Sequence, residues 1–147
     1  MEVDTTKSLE ELENDYWEER DTYETSLIEI IYRIRKKPLL QLIPSEIRYF
    51  VGQNMGNDYI VPLALDILEK NPYILGTYYE GDLLYAVLNI DIEYWKEHDK
   101  SLKQLSEIMV SFNINFTEEI KDLISEQTKI EINDMWKNLS NRIDYLC

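Results

Sequence analysis

The chain has 147 residues, of which 44% are apolar and 12% aromatic, enough to bury one continuous core in a single domain over residues 1–147. Twenty-nine acidic against fifteen basic residues give a net charge of −14, which argues against nucleic acid or an anionic membrane as partner and favours a basic one. Only Cys147 carries a thiol, and neither a secretory signal nor a membrane span is recognisable, so we expect a cytoplasmic protein without disulfides.

Apolar residues recur three and four positions apart along nearly the whole chain, and no segment alternates with period two, which predicts an all-α fold. Ser8 and Glu11 have the spacing of a capping box, and they predict a first helix over residues 8–17. A second helix is expected over residues 22–36, because its apolar residues fall on one face and Pro38 stops it.

The next two predicted helices lie in the middle of the chain. The third helix is expected to begin at Pro44. Proline is tolerated in the first turn because the N–H groups there have no acceptor within the helix, so none is lost. The fourth spans residues 59–70, with Asp58 as its N-cap and Pro62 within its first turn.

The second half of the chain continues the helical pattern. Asp82 is expected to cap a helix over residues 83–89, and Asp91 to cap a further short helix. A longer helix is expected over residues 100–112, and Thr117 is expected to cap a C-terminal helical region. The pattern therefore predicts a compact array of seven to nine antiparallel helices with short connections.

The residues that carry catalysis or bind metals are sparse. His98 is the only histidine, which excludes a catalytic triad and leaves every His-based metal site incomplete. Paired carboxylates are frequent only because acids are frequent, and Gly52 to Gly56 lacks the third glycine and the lysine of a phosphate-binding loop. We expect no catalytic residue, no metal site and no cofactor, and therefore no enzyme.

A protein-binding surface is the remaining candidate. The segment from Tyr73 to Asp82 combines aromatic residues, carboxylates and permissive glycines, including Tyr78, Tyr79 and Glu80. Tyrosine supplies contact area at low entropic cost, and carboxylates pair with the lysine and arginine of a basic partner. The alternative is structural, with Asp82 only a helix cap and Tyr79 a half-buried core residue.

Charge is uneven along the chain. Residues 1–26 hold ten acids and two bases, and residues 46–99 hold ten acids and three bases. A basic patch at residues 33–37 separates these acidic zones, an arrangement that would steer a basic partner in a salt-dependent way.

The middle of the chain also carries a series of short motifs. They are Gly52-Gln53, Tyr59-x-x-Pro62-Leu-Ala-Leu, Asn71-Pro72 and Tyr78-Tyr79-x-Gly81-Asp82-Leu83-Leu84, in this order. The series resembles the immunity proteins of bacterial contact-dependent growth inhibition (CDI) systems, and the resemblance is best over about residues 38–95.

This resemblance implies a cytoplasmic bacterial antidote that binds the cognate C-terminal toxin domain one to one and blocks its cleft. The acidity of the chain is consistent with a basic nuclease as the toxin. The motif residues with an expected structural role are Gly52, Gln53, Tyr59, Pro62, Tyr79, Gly81, Asp82, Leu83 and Leu84. The exposed residues expected to contact the toxin are Asp58, Tyr73, Tyr78, Glu80, Glu93 and Tyr94.

Two other functions stay open at this point. An acidic nucleic-acid mimic or general adaptor that binds basic proteins would have the same net charge, but it would bind several unrelated partners. A carboxylate-based hydrolase would need an acid pair in a cleft.

Overall fold

A computed structural model describes residues 3–146, with side chains described up to residue 143. This part of the chain is helical without a β-strand, apart from two isolated bridges and a short 3-10 turn at Leu39–Gln41. The predicted all-α class is confirmed. The nine helices of the described range are α1 (Leu9–Glu13), α2 (Ser26–Ile34), α3 (Pro44–Gly52), α4 (Asn57–Lys70), α5 (Asp82–Leu88), α6 (Ile92–Glu97), α7 (Asp99–Ile114), α8 (Glu118–Lys121) and α9 (Glu126–Leu146).

The first predicted helix starts where expected but is too long. Ser8 Oγ accepts the N–H of Glu11 at 3.3 Å, and Glu11 Oε1 accepts the N–H of Ser8 at 3.1 Å, so the capping box is confirmed. The helix ends at Glu13 because Asn14 adopts a left-handed φ of 52° and caps it. Since α2 begins only after Thr25, residues 14–25 form an irregular segment between the two helices.

Two carboxylates predicted to be N-caps have other positions. The N-cap of α4 is Gly56, with a left-handed φ of 66°, and Asp58 lies inside the first turn. The N-cap of α5 is Gly81, with a φ of 93°, and Asp82 is the first helical residue. Because α4 begins at Asn57, two residues earlier than predicted, Pro62 lies beyond its first turn, so the helix lacks the bond that this residue would otherwise donate.

The core lies where α4 packs against α3, α5 and α7, and α9 closes it against α5 and α6. Its apolar residues form one continuous cluster in which Phe50, Trp95 and Phe112 are fully buried. Burying one such side chain contributes about 1.5–3 kcal/mol to folding. Among the described helices, none is both long and apolar enough to cross a membrane.

Arg35, at the end of α2, holds the irregular segment against the core. Its side chain is 2% exposed, Nη1 donates to Glu13 Oε1 at 2.9 Å, and Nη2 donates to the carbonyl of Asp15 at 2.7 Å. The guanidinium lies 4.3 Å from the centre of the Trp17 ring, a cation–π contact. Next to it, Lys36 Nζ donates to the Trp17 carbonyl at 2.8 Å. The segment therefore begins in a fixed conformation.

The predicted basic patch at residues 33–37 is engaged within the protein. Lys37 Nζ lies 2.8 Å and Arg33 Nη1 3.3 Å from the carboxylate of Glu46, which is buried at the start of α3. Burial by itself would raise the pKa of Glu46, but the hydrogen bonds from Lys37 and the Ile43 N–H and the two nearby cations outweigh it and lower this pKa. These cations join helices instead of forming a free basic surface.

We expect Arg35→Met to lower the free energy of unfolding by about 3 kcal/mol, because it removes a buried guanidinium together with its hydrogen bonds to Glu13 and the Asp15 carbonyl and its contact with Trp17. Arg33→Met is the matched control: its side chain is 62% exposed, so its loss should cost less than about 1 kcal/mol. Urea denaturation of both variants measures the difference. Equal losses would contradict the role given to Arg35.

Candidate partner-binding surface

The loop that joins α4 to α5, residues 71–81, is organised by the carboxylate of Asp82. This side chain is 1% exposed, and its oxygens accept the backbone N–H groups of Gly76 at 2.6 Å, Thr77 at 2.8 Å and Tyr78 at 2.7 Å. Hydrogen bonds to a charged acceptor contribute about 1.5–3 kcal/mol each. Asp82 therefore fixes the loop that precedes it, and does not cap its own helix as predicted.

Two glycines make this geometry possible. A Cβ on Gly76 would lie 2.7 Å from Asp82 Oδ1, which is too close for any side chain. Gly81 has a φ of 93° and donates its N–H to the carbonyl of Ile74 at 3.1 Å, which closes the loop. The loop backbone thus depends on glycine at both positions.

Arg48 of α3 joins the loop to the helix array. Its Nε lies 3.6 Å from Asp82 Oδ2, and its guanidinium lies 4.9 Å from the centre of the Tyr78 ring. Thr77 Oγ1 donates to the carbonyl of Ser45 at 3.3 Å, near the beginning of the same helix. These contacts hold Tyr78 on the surface, where 66% of it is exposed.

Tyr73 and Tyr94 are not surface residues, so the predicted exposure of these two is wrong. Tyr73 is 8% exposed, and its hydroxyl donates to the carbonyl of Phe112 at 2.5 Å. Tyr94 is also 8% exposed, and its ring stacks on His98 at 3.9 Å between centroids. Burial raises the pKa of both phenols, which favours their protonated form. Both tyrosines face the core because they bridge neighbouring elements.

Tyr78 and Glu80 lie in the loop, whereas Asp58 and Glu93 lie near α6. Glu80 is half-buried, and Tyr79 beside it is 40% exposed. Burial, reinforced by Asp82, raises the pKa of Tyr79. The sequence-predicted surface is therefore divided into a loop part and an α6 part.

The α6 part surrounds His98. Asp58 Oδ1 lies 3.3 Å from His98 Nε2, and the Asp58 side chain is 73% exposed. Glu93 is 67% exposed and pairs with Lys96 at 3.2 Å. A shallow cavity of about 290 Å³ beside them is lined by Glu13 as well as Asp58. In the part of the chain that the structure describes, no group of three His, Cys, Asp or Glu residues could hold a metal ion.

The motif residues fall into two places. Gly81, Asp82, Leu83 and Leu84 are buried at the junction of the loop with α5, with Tyr79 next to them. The others lie at the end of α3 and in α4, where the Tyr59 hydroxyl donates to the carbonyl of Leu12 at 3.4 Å, while Gly52 and Gln53 are exposed. The structural role of the motif residues stays a prediction. Burial supports it for the residues at the junction of the loop with α5.

A polar cavity of about 500 Å³ between α3 and α5 links the two parts of the surface. It is lined by Arg48, Val51, Gly52, Gln53, Asn54, Tyr85, Ala86, Asn89, Ile90 and Asp91. Arg48 at one side contacts Tyr78, and Asp91 at the other caps the helix that carries Glu93. Sequence reasoning missed Arg48, because only the fold brings it next to Asp82, far along the chain.

The irregular segment of residues 14–25 is a second feature that sequence reasoning missed, because a helix was predicted over part of it. Glu18, Glu19 and Asp21 are exposed there and make no ion pair with any described residue. Its one basic residue, Arg20, pairs with Glu24 at 3.0 Å. The segment therefore adds negative charge to the outer surface.

A comparison with protein families places residues 11–105, most of the chain, in a match to the model of the family described as CDI immunity proteins. The matched range runs from α1 into α7 and contains the Arg35 contacts, the loop and the polar cavity. It is longer than the range over which the motifs predict the resemblance. No curated protein and no solved structure matches the chain.

We expect Gly76→Ala to lower the free energy of unfolding by about 1–3 kcal/mol, because its methyl group would displace the carboxylate that holds the loop. Gly52→Ala is the control, since a Cβ there meets only Arg48 Nη1 at 3.3 Å, a contact that a small shift relieves, and its effect should stay within about 1 kcal/mol. Thermal or urea denaturation compares the two variants. A Gly76→Ala protein as stable as the parent would show that the loop can rearrange around Asp82.

Proposed function

Because this chain belongs to the CDI immunity proteins, we propose that it binds the toxin domain of its own contact-dependent growth inhibition system and neutralises it without catalysis. The family match over residues 11–105 carries this proposal, since membership implies neutralisation of a CDI toxin and immunity proteins are generally inhibitors. The site of action is the bacterial cytoplasm, where the delivered toxin would meet its antidote.

The toxin is a basic protein, and a nuclease with a cationic substrate cleft fits best. The net charge of −14 supports this choice, because a nuclease cleft built for phosphates attracts carboxylates in the same way. The internal pairing of Arg33, Arg35, Lys36 and Lys37 adds support. These cations at and after the end of α2 are therefore paired within the protein and repel a basic partner less.

The contact surface is formed by the loop and the α6 part described above. Tyr78 and Glu80 provide an aromatic anchor and a carboxylate on a loop whose backbone Asp82 already holds in place. Such preorganisation lowers the entropic cost of binding. Asp58 and Glu93 extend the acidic surface on the other side of the polar cavity, and the complex blocks the toxin cleft with one immunity protein per toxin.

Calorimetry with the toxin domain encoded beside this chain tests the proposal. We expect one-to-one binding with a Kd of about 1–100 nM that weakens as salt is raised from about 50 to 300 mM. The same titration should abolish toxin activity. Absence of binding would contradict the proposed function itself, whereas a cognate toxin that is acidic or neutral would contradict only its electrostatic part.

Charge reversal in the loop should slow association. We expect Glu80→Lys to reduce the association rate by about 3- to 10-fold and to weaken its salt dependence, because a carboxylate at the contact steers the basic partner. Glu107→Lys on the exposed side of α7 changes the net charge equally and serves as the control. Surface plasmon resonance measures both rates. Equal effects would mean that only the net charge matters and that the loop is not the contact.

The acidic-adaptor alternative predicts a different result from the same assays. A mimic or adaptor would bind unrelated basic proteins, such as a histone or lysozyme, with affinities close to that for the toxin. An immunity protein should prefer its toxin by several orders of magnitude, because shape and polar contacts at the interface add to charge.

A further inference from the structure

The polar cavity between α3 and α5 has features of a binding pocket that are distinct from the acidic surface around it. Its volume of about 500 Å³ lies within the range of sites for small molecules or side chains. Most of its polar lining groups carry hydrogen-bond donors: the guanidinium of Arg48, the hydroxyl of Tyr85 and the amides of Gln53, Asn54 and Asn89.

The guanidinium of Arg48 is held in one orientation. Asp82 Oδ2 lies 3.6 Å from Nε, the guanidinium lies over the Tyr78 ring at 4.9 Å from its centre, and the side chain is only 22% exposed. Gly52 leaves room for it, since a Cβ there would lie 3.3 Å from Nη1. A fixed guanidinium loses little entropy when it binds an acceptor.

The two terminal nitrogens of Arg48 are available for such an acceptor. Among the described residues, neither Nη1 nor Nη2 forms a hydrogen bond or an ion pair, while Nε is the nitrogen that faces Asp82. Asn54 Oδ1 is already bonded to Asn57 Nδ2 at 2.8 Å, and Asp91 Oδ1 accepts the N–H of Glu93 at 3.2 Å. The Arg48 guanidinium therefore supplies the unused charged donors of the cavity, while the amides of Gln53 and Asn89 offer both donors and acceptors.

We propose that this cavity binds a carboxylate side chain of the toxin through the two Nη groups of Arg48, with Asn89 as a second donor. This inference rests on the proposed function and names one contact within it. The planar fork of arginine matches a carboxylate by two parallel hydrogen bonds. On a protein with a net charge of −14, an acidic group of the partner is repelled nearly everywhere else, so this contact sets the register of the complex.

Arg48→Lys tests the contact because it keeps the positive charge beside Asp82 and removes the fork. We expect the Kd for the toxin domain to rise about 10- to 100-fold while the urea midpoint stays unchanged. Asn89→Ala covers the case in which Arg48→Lys unfolds. Asn89 is exposed, and its side chain makes no hydrogen bond to any described residue. This variant should raise the Kd about threefold. Asn138→Ala in the neighbouring cavity is the matched control and should leave the Kd unchanged.

A double-mutant cycle identifies the carboxylate. Each Asp and Glu of the toxin is replaced by Asn or Gln and titrated against the parent chain and Arg48→Lys. One replacement should weaken binding about tenfold with the parent and less than twofold with Arg48→Lys. If the parent chain neutralises the toxin but no toxin carboxylate couples to Arg48, this inference is wrong while the proposed function stands. If the parent chain does not bind the toxin, the proposed function itself fails.

Discussion

The conformation of the loop between α4 and α5 depends on the hydrogen bonds and the ion pair of the buried Asp82 carboxylate. Removing a charge from water costs several kcal/mol, and here three backbone N–H groups and the guanidinium of Arg48 offset that cost. The same carboxylate requires glycine at position 76 and places Tyr78 over Arg48. One side chain thus fixes the loop, the aromatic residue on its surface and the orientation of an arginine.

A second constraint concerns the distribution of charge. The cations at the end of α2 contact Glu10, Glu13 and Glu46, and these contacts tie α1 and α3 to α2. Positive charge is thereby used to hold the fold together, while many carboxylates outside these contacts remain on the surface. In a protein arranged in this way, the cations hold the helices together and the surface still carries a large excess of negative charge. Both properties suit the inhibitor proposed above.

Local sequence signals predicted most of the helices because they act over three or four residues. The capping box at Ser8, the N-cap at Asp91 and the position of Pro44 in the first turn of α3 are all present in the structure. The prediction failed at residues 14–17, whose composition favours a helix. Asn14 takes a left-handed conformation there, and Arg35 holds the chain that follows it. Here a contact between distant residues overrides helix propensity.

The sequence by itself determined the all-α class, the approximate helices, the excess of negative charge and the family motifs, since each depends on composition or on short spacing. Tertiary structure alone decided which tyrosines are exposed, because Tyr73 and Tyr94 are buried by helices far from them in sequence. It also decided that Arg48 meets Asp82 and lines a cavity. Burial and ion pairing depend on which elements pack together, and no periodicity in the chain specifies that packing.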